Sequence, residues 1–213
     1  MENKRINPFR ILTNPREFIR QGLEKTRKAS VFFAFFLGMT YLFGKSYTFG
    51  LGNSYSLSHI LVFCFVLSIP IGYFLLYVTS FFLYWVGKIF QGAATFEEIF
   101  AAFVWTRLPE FFIFLGWLGL IGVFGGYAFT SAIIMVTPIP LIVIGLIGFQ
   151  IVFAIWEAII LFQTLGEVQK ISAWVAVWNV LFTWIIMFIL DFSFNWFLIK
   201  SFDWAPLANL LFS

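Results

Sequence analysis

The chain has 213 residues, 62% of them hydrophobic and only 11% charged, with a formal net charge of +3; a soluble domain is about 45–50% apolar and about 25% charged. A mean hydropathy of +0.96 is more than one core of this size can hide, so the bilayer must be the solvent. One cysteine (Cys64) and one histidine (His59) exclude an internal disulfide, a cysteine-rich metal site and the His-x-x-x-His zinc pattern.

Residues 1–28 read as a basic cytoplasmic N-terminal segment, and residues 29–213 as a five-helix transmembrane domain. The basic segment holds eight of the 13 Lys and Arg residues, and it has no apolar core of signal-peptide type. The first span is therefore expected to be uncleaved. Within the segment, Asn14 (N-cap), Pro15 (N1) and Glu17 (N3) predict a helix from Asn14 to Lys28. Phe18, Ile19 and Leu23 gather on one side of it, as for a helix lying on the inner leaflet.

The first predicted span is Ala29–Tyr47, with Lys45 expected to snorkel to the far interface. A polar loop follows, Thr48–Ser58. The second span, about Leu57–Phe90, runs past the ~20 residues a crossing needs and contains Pro70, a kink site. His59 is expected at the interface and Cys64 in an apolar environment. A turn at Gln91-Gly92 leads to Thr95-Phe96-Glu97-Glu98, a capping box. It opens a short amphipathic helix with Phe96, Ile99, Phe100 and Phe103 on one face, and Pro109 ends that helix. The third span, Pro109–Ala128, is glycine-rich. Its Gly122–Gly126 pair is expected to pack within the molecule, with a self-association face as the alternative. Thr137-Pro138-Ile139-Pro140 marks the next turn. The fourth span is Leu141–Thr164, the turn Gly166–Lys170 follows, and the fifth span is Ile171–Ile199. The fold class is thus all-α: a polytopic membrane protein of five transmembrane helices plus a short cytoplasmic helix between the second and third.

With the N-terminus in the cytoplasm, the inner segments hold the eight N-terminal bases plus Lys88, Arg107 and Lys170, against Lys45 and Lys200 outside. That imbalance sets the orientation and puts the C-terminus outside.

Glu157 and Asp191 lie inside apolar spans, where an ionisable group costs about 2.5–3.5 kcal/mol on insertion scales. At 1.5 Å per residue they fall at different depths and do not form a catalytic pair. Arg107 is expected near Glu157 at the inner membrane boundary. Gln150, Glu157 and Thr164 recur every seven residues on the fourth span, and Asn179 and Thr183 are an i, i+4 pair on the fifth. This predicts a thin polar seam between the fourth and fifth spans. Its plain reading is interhelical hydrogen bonding, and its sharper reading is a path for a small solute or lipid. No nucleophile–base pair, metal cluster or cofactor fingerprint stands in the sequence. An enzyme, a cofactor, a metal site and a nucleic-acid partner are not expected.

Three runs carry a family resemblance. NPFRILTNPREFIRQ, ahead of the first span, resembles the N-terminal signature of bacterial Yip1-domain proteins. YWVGKIFQGAATFEEIFAAFVWTRLPE is similar to that family's central block, with Gly92, Thr95, Glu98 and Pro109 as its cytoplasmic motif. GEVQKISAWVAVWNVL resembles the block between its last two spans. The resemblance implies a non-enzymatic, multi-pass protein of the bacterial cytoplasmic membrane, in contact with the lipid bilayer. It implies membrane organisation, trafficking or an adaptor role through a protein or lipid partner, or through self-association by the glycine-rich third span. Eukaryotic members are tied to vesicle traffic and Rab-type GTPases; their Asp-Leu-Tyr-Gly-Pro run is absent here.

Overall fold

The computed structural model describes residues 26–130 and 140–201. The expected inner-leaflet helix up to residue 25, the turn at 137–139 and the C-terminal tail lie outside the described residues. Six α-helices and no strands occur among the described residues: α1 Thr26–Thr48, α2 Leu57–Ile89, α3 Phe96–Thr106, α4 Glu110–Phe124, α5 Pro140–Gln169 and α6 Ala173–Ser201. Five helical stretches are long and apolar enough to cross a membrane: Ala29–Thr48, Leu57–Ile89, Glu110–Phe129, Ile144–Gln169 and Ala173–Ser193.

The first two crossings form a tight antiparallel hairpin. α2 buries every fourth residue from Ile60 to Ser80, then Leu83 and Gly87. Most of that stripe is small, which lets a neighbouring backbone come close. Two small pairs make the closest approach. A Cβ on Gly38 of α1 would overlap the carbonyl of Ser68, and one on Gly72 of α2 would overlap the carbonyl of Ala34. Phe65, Val66, Phe74 and Trp85, off the stripe, are exposed, as lipid-facing side chains must be. The helix runs unbroken through Pro70.

The five long helices pack in the cyclic order α1, α2, α6, α5, α4, with α4 back on α1. The short α3 packs on α1, α2 and α5. Its one-sided apolar pattern understates this. Ile99 and every residue from Ala101 to Thr106 are buried, so the C-terminal half has no polar face left for water. Phe96 and Phe100 sit on Tyr84 and Tyr77 of α2, and Trp105 meets Phe33 of α1 with ring centroids 5.8 Å apart.

α3 and α4 run in succession along α5. The backbone N–H of Ala93 donates to the carbonyl of Gln169 at 3.0 Å. Arg107 reaches Glu157, Phe112 stacks on Phe153 at 4.6 Å, and Gly119 faces Leu146. The path breaks between the two helices at Arg107-Leu108-Pro109, level with Glu157, which is midway along the α5 stretch Ile144–Gln169. α5 continues to Gln169, past the expected end at Thr164.

Of the Gly122–Gly126 pair, Gly126 packs within the chain: a Cβ on Gly52 would overlap its carbonyl. A Cβ on Gly122 would meet nothing within 4 Å among the described residues. Gly116 and Gly119 make the close contacts of α4 instead, against Gln150 and Leu146 of α5. α4 ends at Gly125, whose φ of 56° suits glycine.

Candidate functional site

Four side chains from four helices meet at the break. Arg107 is the C-cap residue of α3, Glu110 opens α4, Glu157 comes from the middle of α5 and Thr40 from α1. All four are buried, between 6% and 9% exposed. The Arg107 guanidinium bonds the Glu157 carboxylate and lies 3.9 Å from Glu110, an i, i+3 neighbour. Its Cζ sits 4.2 Å from the centre of the Phe103 ring, a cation–π contact that helps replace lost hydration. The Thr40 hydroxyl donates to Glu110. The Glu110 and Glu157 carboxyls face one and the same guanidinium nitrogen, Arg107 Nη1. The helix ends suit these charges: a cation at the C-terminus of α3 and an anion at the N-terminus of α4.

Gln150 does not join this cluster. Its side chain packs on Gly116, where a Cβ would come within 2.8 Å of its Cγ, and its Nε2 has no hydrogen-bond partner among the described residues. The buried Thr164 hydroxyl is likewise unpartnered.

Asn179 and Thr183 belong to a second cluster, centred on Gln169. Asn179 Nδ2 donates to the Leu83 carbonyl at 3.1 Å and to Gln169 Oε1 at 3.0 Å. Gln169 Nε2 donates to the same Leu83 carbonyl at 3.3 Å. Gly87 and Gly92 make room for this amide: a Cβ on Gly87 would overlap it, and one on Gly92 would come within 3.1 Å of Oε1. The expected seam between the fourth and fifth spans is therefore two separate clusters. Gln150 and Glu157 face α4 and the helix break, whereas Asn179 binds the end of α5 and the backbone of α2.

Asp191 forms a third group. It takes a 2.6 Å ion pair from Lys45 and a 2.8 Å hydrogen bond from Tyr41, and it stands well apart from Glu157 in sequence and partners. Lys45, in the last turn of α1, gives its ammonium to this carboxylate.

The turn between α2 and α3 carries the capping box as expected. Thr95 N–H donates to Glu98 Oε2 at 2.8 Å, and Glu98 N–H donates to Thr95 Oγ1 at 3.3 Å. The backbone N–H of Thr95, then its hydroxyl, hold the Glu98 carboxyl below its ordinary pKa, with Lys170 and Lys88 adding to the effect. Gln91, Ala93, Thr95 and Glu97 are exposed beside Lys88 and Lys170, a polar rim at one end of the bundle.

The family model of the Yip1 domain matches residues 9–193. The chain belongs to the Yip1 domain family. A comparison with curated proteins and one with solved structures gave no match. For this Yip1-domain protein the match takes in every helix up to the Lys45–Asp191 pair, and it makes the five apolar helices those of a multi-pass membrane protein.

Sequence reasoning brought Arg107 to Glu157 but missed Glu110, Thr40 and Gln169. Glu110 had a readable signal, since Arg107-x-x-Glu110 is a helical i, i+3 spacing. It passed for an ordinary acidic residue in a first turn. Thr40 and Gln169 carry no local signal, because their partners lie 70 and 86 residues away.

Proposed function

We propose that this Yip1-domain protein is a non-enzymatic membrane-organising or adaptor protein, and that its partner surface is the rim formed by the α2–α3 turn and the start of α6. The observation that carries this reading is how rigidly that rim is built. The capping box fixes Thr95 and Glu98, Ala93 is tied to the Gln169 backbone, and Gly92 is locked against the Gln169 amide. Thr95 and Glu97 are nevertheless left exposed. A fixed polar surface on a mostly lipid-facing molecule suits recognition of a protein or a headgroup, because little side-chain order is lost on contact. The basic residues of the 1–28 segment and the positive-inside count favour the bacterial cytoplasm for this rim, with the N-terminus inside and the C-terminus outside. Self-association through the open Gly122 face is a further partner mode compatible with the packing. The solute-path reading loses its support, because the polar residues of α5 and α6 join separate clusters.

Photo-crosslinkers at Glu97 and at lipid-facing Phe65, in intact membranes, test the proposal. Specific protein or headgroup adducts at 97 and not at 65 are the expected result. Identical adduct patterns at both positions would remove the rim as a partner surface. Reporter fusions after Ser54, Gly92 and Lys170 test the orientation and should read out, in, in.

A further inference from the structure

The charge count at the helix break does not balance. α3 contributes one cation, Arg107; α4 and α5 contribute one carboxyl each, Glu110 and Glu157; α1 contributes the hydroxyl of Thr40. With both carboxyls ionised, the set carries one net negative charge at the centre of an apolar bundle, where it would be costly. Among the described residues, the Lys45–Asp191 ion pair joins other helices and does not reach these carboxyls.

The hydrogen-bond geometry points the same way. Glu157 binds Arg107 through Oε1, but its Oε2 has no hydrogen-bond partner among the described residues, although the residue is only 9% exposed. The carboxyl of Glu110 stands beside it, both acids facing the same Arg107 Nη1, and two carboxylates can bond each other only through a proton. On the far side of Glu110, the single proton of the Thr40 hydroxyl is claimed by three acceptors: Glu110 itself and the carbonyls of Phe36 and Leu37, each at 3.1 Å. The cluster is short by one proton, and like charges this close do not both ionise.

We propose that Glu110 and Glu157 together hold one proton, so that the break between α3 and α4 is a proton-binding site. The shared proton satisfies Glu157 Oε2 and makes the set of one guanidinium and two carboxyls neutral. It belongs to the pair and not to either residue. Loss of that proton would place a net charge between α4 and α5, and so would link proton uptake to the packing of α3 and α4 on α5.

Infrared spectroscopy of the full chain in lipid bilayers tests this directly. At neutral pH the surface carboxyls are ionised, so the C=O stretch of a protonated carboxylic acid reports buried ones. The expected result is one such band, shifted by 13C-labelled glutamate and unmoved by 13C-labelled aspartate. It should be lost in Glu110→Gln and in Glu157→Gln, because the surviving carboxyl then has Arg107 to itself and ionises. Absence of the band in the folded wild-type protein would overturn the proposal. So would a band that follows the aspartate label, or one that survives both substitutions. A fully ionised pair whose thermal midpoint rises with sodium or potassium would assign a metal cation instead and overturn it as well. If either variant fails to accumulate, the isotope shift on the wild-type chain decides alone.

Discussion

The guanidinium of Arg107 meets the carboxylate of Glu157 where α3 gives way to α4 alongside α5. Removing one partner of a buried charge pair costs about 3–5 kcal/mol. Arg107→Gln should therefore destabilise the protein by about that much, because it leaves two carboxyls without a cation. Adding Glu157→Gln should recover a large part of the loss. A double-mutant cycle on unfolding in detergent or bicelles measures this, and additive effects would show that the two residues are not coupled.

The glycines of α1 and α2 differ sharply in what a side chain would meet. Gly38→Ala and Gly72→Ala force a methyl group against backbone carbonyls and should each cost about 1–3 kcal/mol. Gly44 of α1 and, on α4, Gly122 face open space among the described residues. Alanine there should be neutral or stabilising by up to about 1 kcal/mol, from helix propensity alone. Thermal unfolding of the four variants separates the groups.

Two helices end in left-handed residues that are not glycine: Gln91, with φ 62°, and Lys170, with φ 55°. In both, a backbone N–H bonds a carbonyl five residues back, Gly92 to Gly87 and Ile171 to Gly166, the closure that usually uses glycine. Gln91→Gly and Lys170→Gly should each stabilise by about 0.5–1 kcal/mol, the relief of left-handed strain less the added flexibility of the unfolded chain. Gln91→Ala and Lys170→Ala should show no such gain.

The capping box gives α3 a pH dependence of known sign. Glu98 has a folded-state pKa below its unfolded one. Its contribution is thus full above the unfolded value, about 4.3, and is lost as pH falls through the lower, folded value. The stability advantage of wild type over Glu98→Gln should shrink on acidification through that window. Thr95→Ala should cost about 0.5–2 kcal/mol at neutral pH. Thermal midpoints across pH check both.

Much of the architecture was legible because helices announce themselves locally. The Thr95–Glu98 box, Pro109 and the apolar run lengths all report on residues a few positions apart. The depth of α3 was not legible. Its pattern of Phe96, Ile99, Phe100 and Phe103 describes one face, while its burial depends on α1, α2 and α5 surrounding it, and alanines at 101 and 102 read the same on a surface as in a crevice. The extension of α5 to Gln169 was hidden for a similar reason. Gly166 signals a stop, but the Gln169 side chain has a site between Gly87, Leu83 and Asn179 that holds the last turn in place. The partner of Lys45 was not legible, because Asp191 lies 146 residues further on.

The close contact of Gly38 with Ser68 and of Gly72 with Ala34 involves only residues that leave the ribosome before Ile89. The first two crossings can therefore dock on each other while the rest of the chain is still being made. At roughly 5–20 residues per second, several seconds then separate the emergence of Arg107 and Glu110 from that of Glu157. During that interval these two charges have only each other, one helical turn apart, and the hydroxyl of Thr40 on the waiting hairpin. The order of synthesis thus makes the early hairpin a receiving surface for a crossing that would otherwise enter the bilayer with its charges unsheltered, and leaves the arrival of α5 as the step that closes the bundle.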